Sequence, residues 1–336
     1  MKSRTSFMLP VLLLLVVGTP IVSAEPESEH EVSQDAPSKQ NPQIAKWISQ
    51  LGSDKFTVRE QATQALTKAG SKALPAVIGA TRSKEPEIRN RALKILRTLS
   101  ISDDEATASA VRRAAEAILQ SQDPRSVAQA KKILEYQSIH RTALAKQIFR
   151  KLGAKFRTSR KYGNFLNLRG TPVTDEHMAR LKWLTKLNRV DLKGTQVTDA
   201  GLEHLQGVTK LETLDLSDTK ITNAGLEHLK GLKSLAHLNL SNTNVTGAGL
   251  ERLKGLPKLR ELFLQGTNVA DVGLKHLNEI KSLQTLWLYN TKITDAGLEH
   301  LKGLKSLRSL GLTNTNVTDE GVKKLQKALP DCRISR

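Results

Sequence analysis

The chain has 336 residues, with 52 Lys and Arg against 33 Asp and Glu, and a formal net charge of +19. Apolar residues make up 38% and aromatic residues 4%, so leucine and alanine, not aromatic side chains, must fill the core. The single cysteine, Cys332, excludes an internal disulfide and any metal site built on several thiolates. At roughly 100–200 residues per domain, two domains are the first expectation.

Residues 1–24 predict a signal peptide. A charged start precedes an apolar run over 7–18, and Val22-Ser23-Ala24 supplies the small residues of a cleavage site. The run is shorter than the roughly 20 residues that span a bilayer, so a cleaved signal is favoured over a membrane anchor. Residues 25–42, rich in Glu, Ser and Pro, predict a disordered linker. We therefore expect an exported protein, periplasmic or extracellular, without a transmembrane span after cleavage.

Residues 43–152 predict helices with an internal repeat. A pattern of Val or Ile followed by Arg, then Ala, then Leu recurs after 30 residues: Val58, Arg59, Ala62, Leu66 and Ile88, Arg89, Ala92, Leu96. These apolar positions share one helix face. Between the copies, residues 73–78 predict the second helix of an antiparallel pair. The pattern resembles the bacterial HEAT-like repeats over about 43–100. Further helices are predicted near 105–120, 125–137 and 140–152.

A second repeat follows, with a period of 24 residues. It is marked by seven threonines: Thr171, Thr195, Thr219, Thr243, Thr267, Thr291 and Thr315. In the third copy Leu214 and Leu216 alternate with polar residues, which predicts a strand, while Leu226 and Leu229 predict a short helix. A period of 20–29 with this leucine spacing is typical of leucine-rich repeats. The chain thus resembles bacterial exported leucine-rich-repeat proteins over about 163–336.

The resemblance implies an α/β solenoid of the ribonuclease-inhibitor type. In solenoids of this type the parallel sheet lines the concave face. Each repeat contributes one strand and buries its leucines against the next repeat. The predicted fold class is therefore an α/β leucine-rich-repeat solenoid over 153–336, preceded by an all-α HEAT-like helical region over 43–152. The resemblance also implies that each threonine of the column bonds backbone groups in the turn after its strand.

Two further features concern the short helices and the ends of the stack. Thr198-Asp199 and Thr294-Asp295 predict helix entries, with the threonine as cap and the carboxylate favoured by the helix dipole. The alternation over 154–158 predicts a capping strand before the first repeat. Residues 329–334 predict a final strand on which Cys332 is a buried, unreactive side chain.

The exposed strand positions contain a group of aromatic residues. Phe263 and Trp287 occupy the same position on adjacent strands, and Tyr289 lies two residues beyond Trp287 on the same face. Glu261 and Gln265 flank Phe263. Exposed aromatic patches are typical of recognition sites. The alternative is that the rings shield one another or pack beneath the C-terminal cap.

The other end of the predicted concave face is charged. The predicted partner-binding residues there are Arg189, Asp191, Lys193 and Asp215. A face that changes from charged to aromatic suits a protein or glycan that lies along the groove. The predicted function is accordingly a non-enzymatic exported recognition or scaffold protein, monomeric, that binds a protein partner on this face.

The excess charge supports an alternative function. Residues 43–162 hold 24 basic and 10 acidic residues, so the helical region carries most of the excess. This pattern suits anionic cell-envelope polysaccharide or lipid head groups. Nucleic acid is not expected as a partner, because export separates the protein from it and no base-reading motif accompanies the charges. A third hypothesis, an enzyme with its site at the junction of the two regions, has no convergent residues behind it.

No metal or cofactor is predicted. Histidines recur every 24 residues on the convex side, at His204, His228, His276 and His300. Duplication of one surface residue explains this column, and structural zinc sites need four converging ligands. The sequence has no phosphate-binding loop, no G-x-S-x-G and no H-E-x-x-H motif. We therefore predict no catalytic residues.

Overall fold

The computed structural model describes residues 41–102, 104–120 and 124–336. The predicted signal peptide, and all but the last two residues of the predicted linker, lie outside these residues. The described part consists of a helical region followed by a solenoid of repeating coils. No helix among the described residues combines the length and apolarity that a bilayer span requires.

Six helices form the N-terminal region: α1 Pro42–Gln50, α2 Phe56–Ala69, α3 Leu74–Ala80, α4 Pro86–Ser100, α5 Glu105–Ile118 and α6 Pro124–Lys151. A 3-10 turn over Gly70–Ala73 joins α2 to α3. Helix α1 includes Pro42, which the sequence had assigned to the linker. The reason is local: the Asn41 side chain accepts a hydrogen bond from the Gln43 backbone N–H, and proline is tolerated in a first helical turn.

The 30-residue repeat in the sequence is also a repeat in the structure. The Arg59 guanidinium donates to the Ser53 carbonyl at 2.7 Å, and Arg89 donates to the Ser83 carbonyl at 2.9 Å. Both arginines therefore bind the loop that precedes their own helix. Ala62 and Leu66 of α2, and their counterparts in α4, are buried in one core. The assignment of this helical region to the HEAT-like repeats stays a prediction.

The prediction of two helices at 125–137 and 140–152 was wrong, because α6 runs unbroken from Pro124 to Lys151. The polar residues near its middle find partners without a break. The buried Gln137 amide donates to the carbonyls of Ser100 and Ala108, at 2.7 and 3.0 Å. Helix α6 is thereby fixed against α4 and α5, and its C-terminal half extends to the solenoid.

The solenoid carries a nine-stranded sheet in which the strands follow chain order. They are β1 Lys155–Ser159, β2 Gly163–Asn167, β3 Leu187–Asp191, β4 Thr213–Asp215, β5 His237–Asn239, β6 Glu261–Phe263, β7 Thr285–Trp287, β8 Ser309–Gly311 and β9 Arg333–Ser335. Strand β1 pairs antiparallel with β2, and all later pairs are parallel. We number the coils 1 to 7 by the strands β2 to β8. Parallel pairing in register brings the exposed positions of successive coils side by side.

Short helical turns lie on the opposite side of the coils. The α-helical ones are α7 Asp175–Met178, α8 Asp199–Leu202, α9 Asp271–Leu274, α10 Asp295–Glu299 and α11 Asp319–Ala328. The 3-10 turns are Leu181–Trp183, Glu203–Leu205, Gly225–Leu229, Gly247–Gly255 and Lys275–Glu279. Between sheet and turns, the repeated leucines form one continuous buried core. Stacking is what buries them, as expected for a solenoid.

The threonine column has the structural role that the resemblance implied. In every coil the hydroxyl donates to the carbonyl of the leucine three residues earlier, at 2.6–2.8 Å. The residue before each threonine has a left-handed backbone, for example Asp218 with φ 57° and Gly266 with φ 65°. The hydroxyl thus closes the tight turn after each strand.

The carboxylates at the helix entries act between coils more than within them. The backbone N–H and hydroxyl of Thr198 donate to the two oxygens of Asp175 in the preceding coil, at 2.8 and 2.6 Å. The same pair of bonds joins Asp199 to Thr222. Thr198 makes no side-chain cap, in contrast to the prediction, whereas Thr294 accepts from the Ala296 N–H. The side chains form a ladder along the stack.

Both ends of the stack are covered. At the start, β1 occupies the predicted capping position, and Ala145 and Phe149 of α6 belong to the same buried core as the first coils. At the end, β9 pairs with β8, and Cys332 is buried just before it. Burial raises the pKa of the Cys332 thiol to about 11. The cysteine is therefore a core residue of the C-terminal cap.

Candidate functional site

The aromatic residues of coils 5 and 6 form one cluster on the sheet face. The Phe263 and Trp287 ring centroids are 4.5 Å apart with planes at 58°, and those of Trp287 and Tyr289 are 5.6 Å apart at 35°. All three side chains are half-buried. Tilted aromatic pairs at this separation are mutually favourable. The rings thus shield one another in part and still present a shared surface to solvent.

Gly311 leaves room for Tyr289, the third ring of the cluster. A β-carbon at this position would lie 2.3 Å from the nearest Tyr289 ring atoms, so the tyrosine ring lies directly over the backbone of β8. The Tyr289 hydroxyl is 3.5 Å from the Ser335 hydroxyl on β9. The cluster therefore reaches from coil 5 to the last strand. It lies beside the C-terminal strand β9.

The polar residues around the cluster are engaged with their neighbours. Glu261 Oε2 lies 2.8 Å from His237 Nδ1 on the adjacent strand. Gln265 accepts a hydrogen bond from the Ser241 hydroxyl. These contacts orient the flanking side chains at the edge of the aromatic surface.

The predicted charged residues lie together in coils 2 and 3. Asp191 accepts from the Lys193 backbone N–H at 3.0 Å, and the Lys193 ammonium pairs with Asp218 at 3.1 Å. Asp215 accepts from both the N–H and the hydroxyl of Ser217, at 2.9 and 2.6 Å. These carboxylates support the turns after their strands, so much of their hydrogen-bonding capacity is used within the fold.

Burial raises the pKa of Asp191, and the like charge of Asp215 on the next strand acts in the same direction. Asp218 shows the opposite behaviour. The Asn242 side chain donates to it at 2.7 Å, and this bond together with Lys193 lowers its pKa. Lys193 is therefore paired with Asp218, whereas among the described residues Arg189 has no carboxylate partner and its buried Nε has no hydrogen-bond acceptor.

A groove of about 430 Å³, which we call the concave groove, runs between the charged and the aromatic halves of the face. Arg189 borders it at one end, where its guanidinium lies over the rings of Tyr162 and Phe165 at 5.7 and 5.4 Å. Phe263 borders the other end, and His237 lies between. The sequence did not single out Tyr162 or His237. The column position of His237 was readable from the repeat, whereas the position of Tyr162 depends on the β1–β2 hairpin.

The convex histidines do not converge. Among the described residues no group of three or more His, Cys, Asp or Glu side chains is arranged to hold a metal ion. His228 is near Gln206 of the previous coil, with 3.5 Å between Nδ1 and the amide nitrogen. Duplication of a surface residue stays our interpretation of this column.

Comparison with known proteins agrees with the repeat architecture. The family described as "Leucine rich repeat" matches residues 185–245 and 209–269, and "Leucine Rich repeats (2 copies)" matches 281–324. The chain therefore contains leucine-rich repeats within the solenoid. No curated protein matches the sequence.

Two solved structures are similar to part of this chain. An internalin (inlF) of Listeria monocytogenes str. 4b F2365 is 25% identical over 46% of this chain and 43% of its own, with a TM-score of 0.39. An internalin C2 (inlC2) of the same strain is 26% identical over 51% of this chain and 80% of its own, also with a TM-score of 0.39. This chain thus spans less than half of the first internalin.

Proposed function

We propose that the protein is a non-enzymatic, exported recognition scaffold that binds a protein partner on the concave face of its leucine-rich repeats. The observation that carries the proposal is the cluster of Phe263, Trp287 and Tyr289 on that face. Tryptophan and tyrosine are enriched among the residues that dominate binding energy in protein interfaces. The cluster is the anchor of the proposed interface.

The surroundings of the cluster fit this role. Glu261 and Gln265 border it with polar groups, as rim residues surround an apolar centre in protein interfaces. The charged half of the face, with Arg189 and Lys193, lies at the other end of the groove. Charges at the periphery of an interface mainly orient a partner and raise its association rate. We infer that the partner contacts both halves.

Two further parts of the proposal rest on the sequence and the site. Export is supported by the charged, apolar and small-residue segments of residues 1–24. A role without catalysis is supported by the solenoid itself, because repeat proteins of this architecture use their extended concave surface for binding. We also propose that the protein acts as a monomer.

The alternative, binding of anionic envelope polymers through the helical region, has weaker support. Several of its cations already have carboxylate partners: Arg59 with Glu87, Arg91 with Glu60, Arg112 with Glu116, and Arg141 with Glu105. In the described part of the chain, Lys146 and Arg150 in the C-terminal half of α6 have no carboxylate within 4.0 Å.

Photo-cross-linking in the native host tests the concave site. A benzophenone amino acid at position 287 is expected to give a discrete adduct with a protein, and the adduct is expected to disappear in a Phe263→Ala background. The matched control carries the probe at Phe56, an aromatic residue that is 64% exposed on the helical region. The same adducts at both positions, or none at 287, would contradict the proposal. Mass spectrometry of the adduct also shows whether the mature chain begins at Glu25.

A further inference from the structure

A second groove, of about 650 Å³, lies at the junction of the helical region and the solenoid. One side is formed by the C-terminal half of α6, including Ile139, Lys146 and Arg150. The opposite side is formed by β1, the start of β2 and residues 183–187, which lead into β3. We call it the junction groove. It is separate from the concave groove and shares no lining residue with it.

The charge of the junction groove is one-sided. Its lining contains four cations, Lys146, Arg150, Arg157 and Lys186, and no acidic residue. In the described part of the chain, none of these four cations has a carboxylate within 4.0 Å. The nearby Arg141, in contrast, pairs with Glu105 at 3.3 Å. Cations that converge without counter-charges attract an anionic ligand.

The groove also exposes apolar surface. Ile139 is 63% exposed, and Phe156 carries the Lys146 and Arg150 cations over its ring at 6.0 and 5.6 Å. The half-buried Trp183 also has cations over its ring, the guanidiniums of Arg141 and Arg180 at 5.0 and 5.1 Å from the centroid. A ligand that fits this surface needs apolar groups as well as negative charges.

We propose that the junction groove binds an extended acidic peptide, carrying at least one apolar side chain, from a partner protein. Glutamate or aspartate side chains would pair with the four cations, and the apolar side chain would cover Ile139 and Trp183. A flat membrane surface fits less well, because the cations line a concavity between a helix and a sheet. A polysaccharide lacks apolar side chains to cover Ile139.

The test measures binding of a fluorescein-labelled synthetic peptide of Glu interspersed with Leu and Phe to the full chain, by fluorescence anisotropy. The paired variant Arg150→Gln with Lys186→Gln is expected to weaken binding roughly tenfold, because two charge pairs are lost. The matched control is Lys210→Gln with Lys258→Gln. These lysines occupy the position of Lys186 in coils 3 and 5, are exposed and lie outside the groove. The control is expected to leave the affinity unchanged.

Several outcomes would overturn the proposal. Equal weakening of peptide binding by both paired variants would show only a general attraction to positive charge. Equal binding of a peptide with Gln in place of Glu would show that the groove does not recognise negative charge. Tighter binding of polygalacturonate or of phosphatidylglycerol vesicles, with the same dependence on Arg150 and Lys186, would assign the groove to a polymer or a lipid. Phe263→Ala with Trp287→Ala is expected to leave peptide binding unchanged. Its loss in that variant would place the peptide on the concave face.

Discussion

At the scale of single residues, Asp191 and Asp218 both contact Lys193, and their pKa values are shifted in opposite directions. Asp191 is half-buried, and burial together with Asp215 raises its pKa. Asp218 accepts from Asn242 and pairs with Lys193, so its pKa is lowered. Replacing each carboxyl by an amide therefore measures two effects on folding stability separately: the destabilising charge of Asp191 and the stabilising charge of Asp218.

We expect Asp191→Asn to stabilise the fold at neutral pH. A folded-state pKa above the unfolded value means that ionisation disfavours folding, so the stability associated with this carboxyl is lost as pH rises through the folded-state pKa. An asparagine keeps the hydrogen bond from the Lys193 N–H, as Asn239 does for Ser241 in coil 4. Urea unfolding is expected to show a higher midpoint for the variant at pH 7 and the same midpoint at pH 3.

Asp218→Asn is the opposite-sign control. Asparagine tolerates the left-handed backbone at this position, φ 57°, as Asn242 does in the next coil. Because the pKa of Asp218 is lowered, its stabilisation is present above the unfolded pKa and is lost as pH falls through the folded-state pKa. The variant is therefore expected to have a lower urea midpoint at pH 7, with the difference vanishing in acid. Equal shifts for both variants would contradict the assignment.

The same position shows what the sequence could and could not reveal about single residues. The threonine column was predictable, because one residue type recurs at a fixed spacing, and its role in the turn was implied by the resemblance to leucine-rich repeats. The preceding position varies in residue type but not in backbone: Gly170, Gly194, Asp218, Asn242, Gly266, Asn290 and Asn314 all have positive φ. The shared property is tolerance of that conformation, which becomes visible when the column is sorted by backbone preference.

At the scale of elements, the coils are joined by a ladder of Asp or Asn side chains. Each accepts from the threonine 23 residues later, and the glycine column leaves room for it. A β-carbon at Gly225, for example, would lie 2.3 Å from Asp199 Oδ1. The ladder is absent between coils 4 and 5, where Gly247 faces Ala270. Here a β-carbon on Gly247 would lie 2.6 Å from the Gly273 Cα, so the backbones approach directly.

Asp199→Ala is expected to destabilise the solenoid by about 1–3 kcal/mol, because the Thr222 N–H and hydroxyl lose a shared, half-buried acceptor. The matched control is Asp319→Ala. Asp319 has the same position in the helix of the last coil, is exposed, and pairs only with Arg336 among the contacts described. The control is expected to change the free energy of unfolding by less than about 0.5 kcal/mol. Urea unfolding measures both variants. Similar losses in their free energy of unfolding would show that the carboxylate acts through the helix dipole and not through its bonds to Thr222.

The candidate site was predictable at this scale to the extent that strand alternation reveals it. Phe263, Trp287 and Tyr289 could be placed on one face from the repeat, and their rings are in contact. The close approach of the Tyr289 ring to Gly311 was not predictable, because it depends on how a side chain leans across the neighbouring strand. The unbroken α6 was missed for a similar reason. Its buried Gln137 is stabilised by carbonyls of two other helices.

At the scale of the whole molecule, α6 belongs to both regions. Its N-terminal half packs in the helical core through Ala130 and Ile133, and its C-terminal half contributes Ala145 and Phe149 to the core of the repeats. Polar contacts cross the same boundary. The Thr142 hydroxyl donates to the Trp183 carbonyl at 2.9 Å, and Glu105 pairs with both Arg141 and Lys182. Burial alone would raise the pKa of Glu105, but Lys182 and Arg141 outweigh it and lower the pKa.

A solenoid needs a cap at each end, and neighbouring coils stabilise one another in sequence. We therefore expect Phe149→Ala to destabilise the repeats from their first coil onward. Phe149 is fully buried, and loss of a buried phenylalanine costs about 3–5 kcal/mol. Hydrogen exchange with mass spectrometry is expected to show the largest loss of protection in β2 and β3, decreasing toward β8. The control, Phe56→Ala, removes an exposed ring from α2 and is expected to leave the protection of the repeats unchanged. Loss of protection confined to α1–α6 in the Phe149 variant would show that the repeats are capped by β1 alone, without α6.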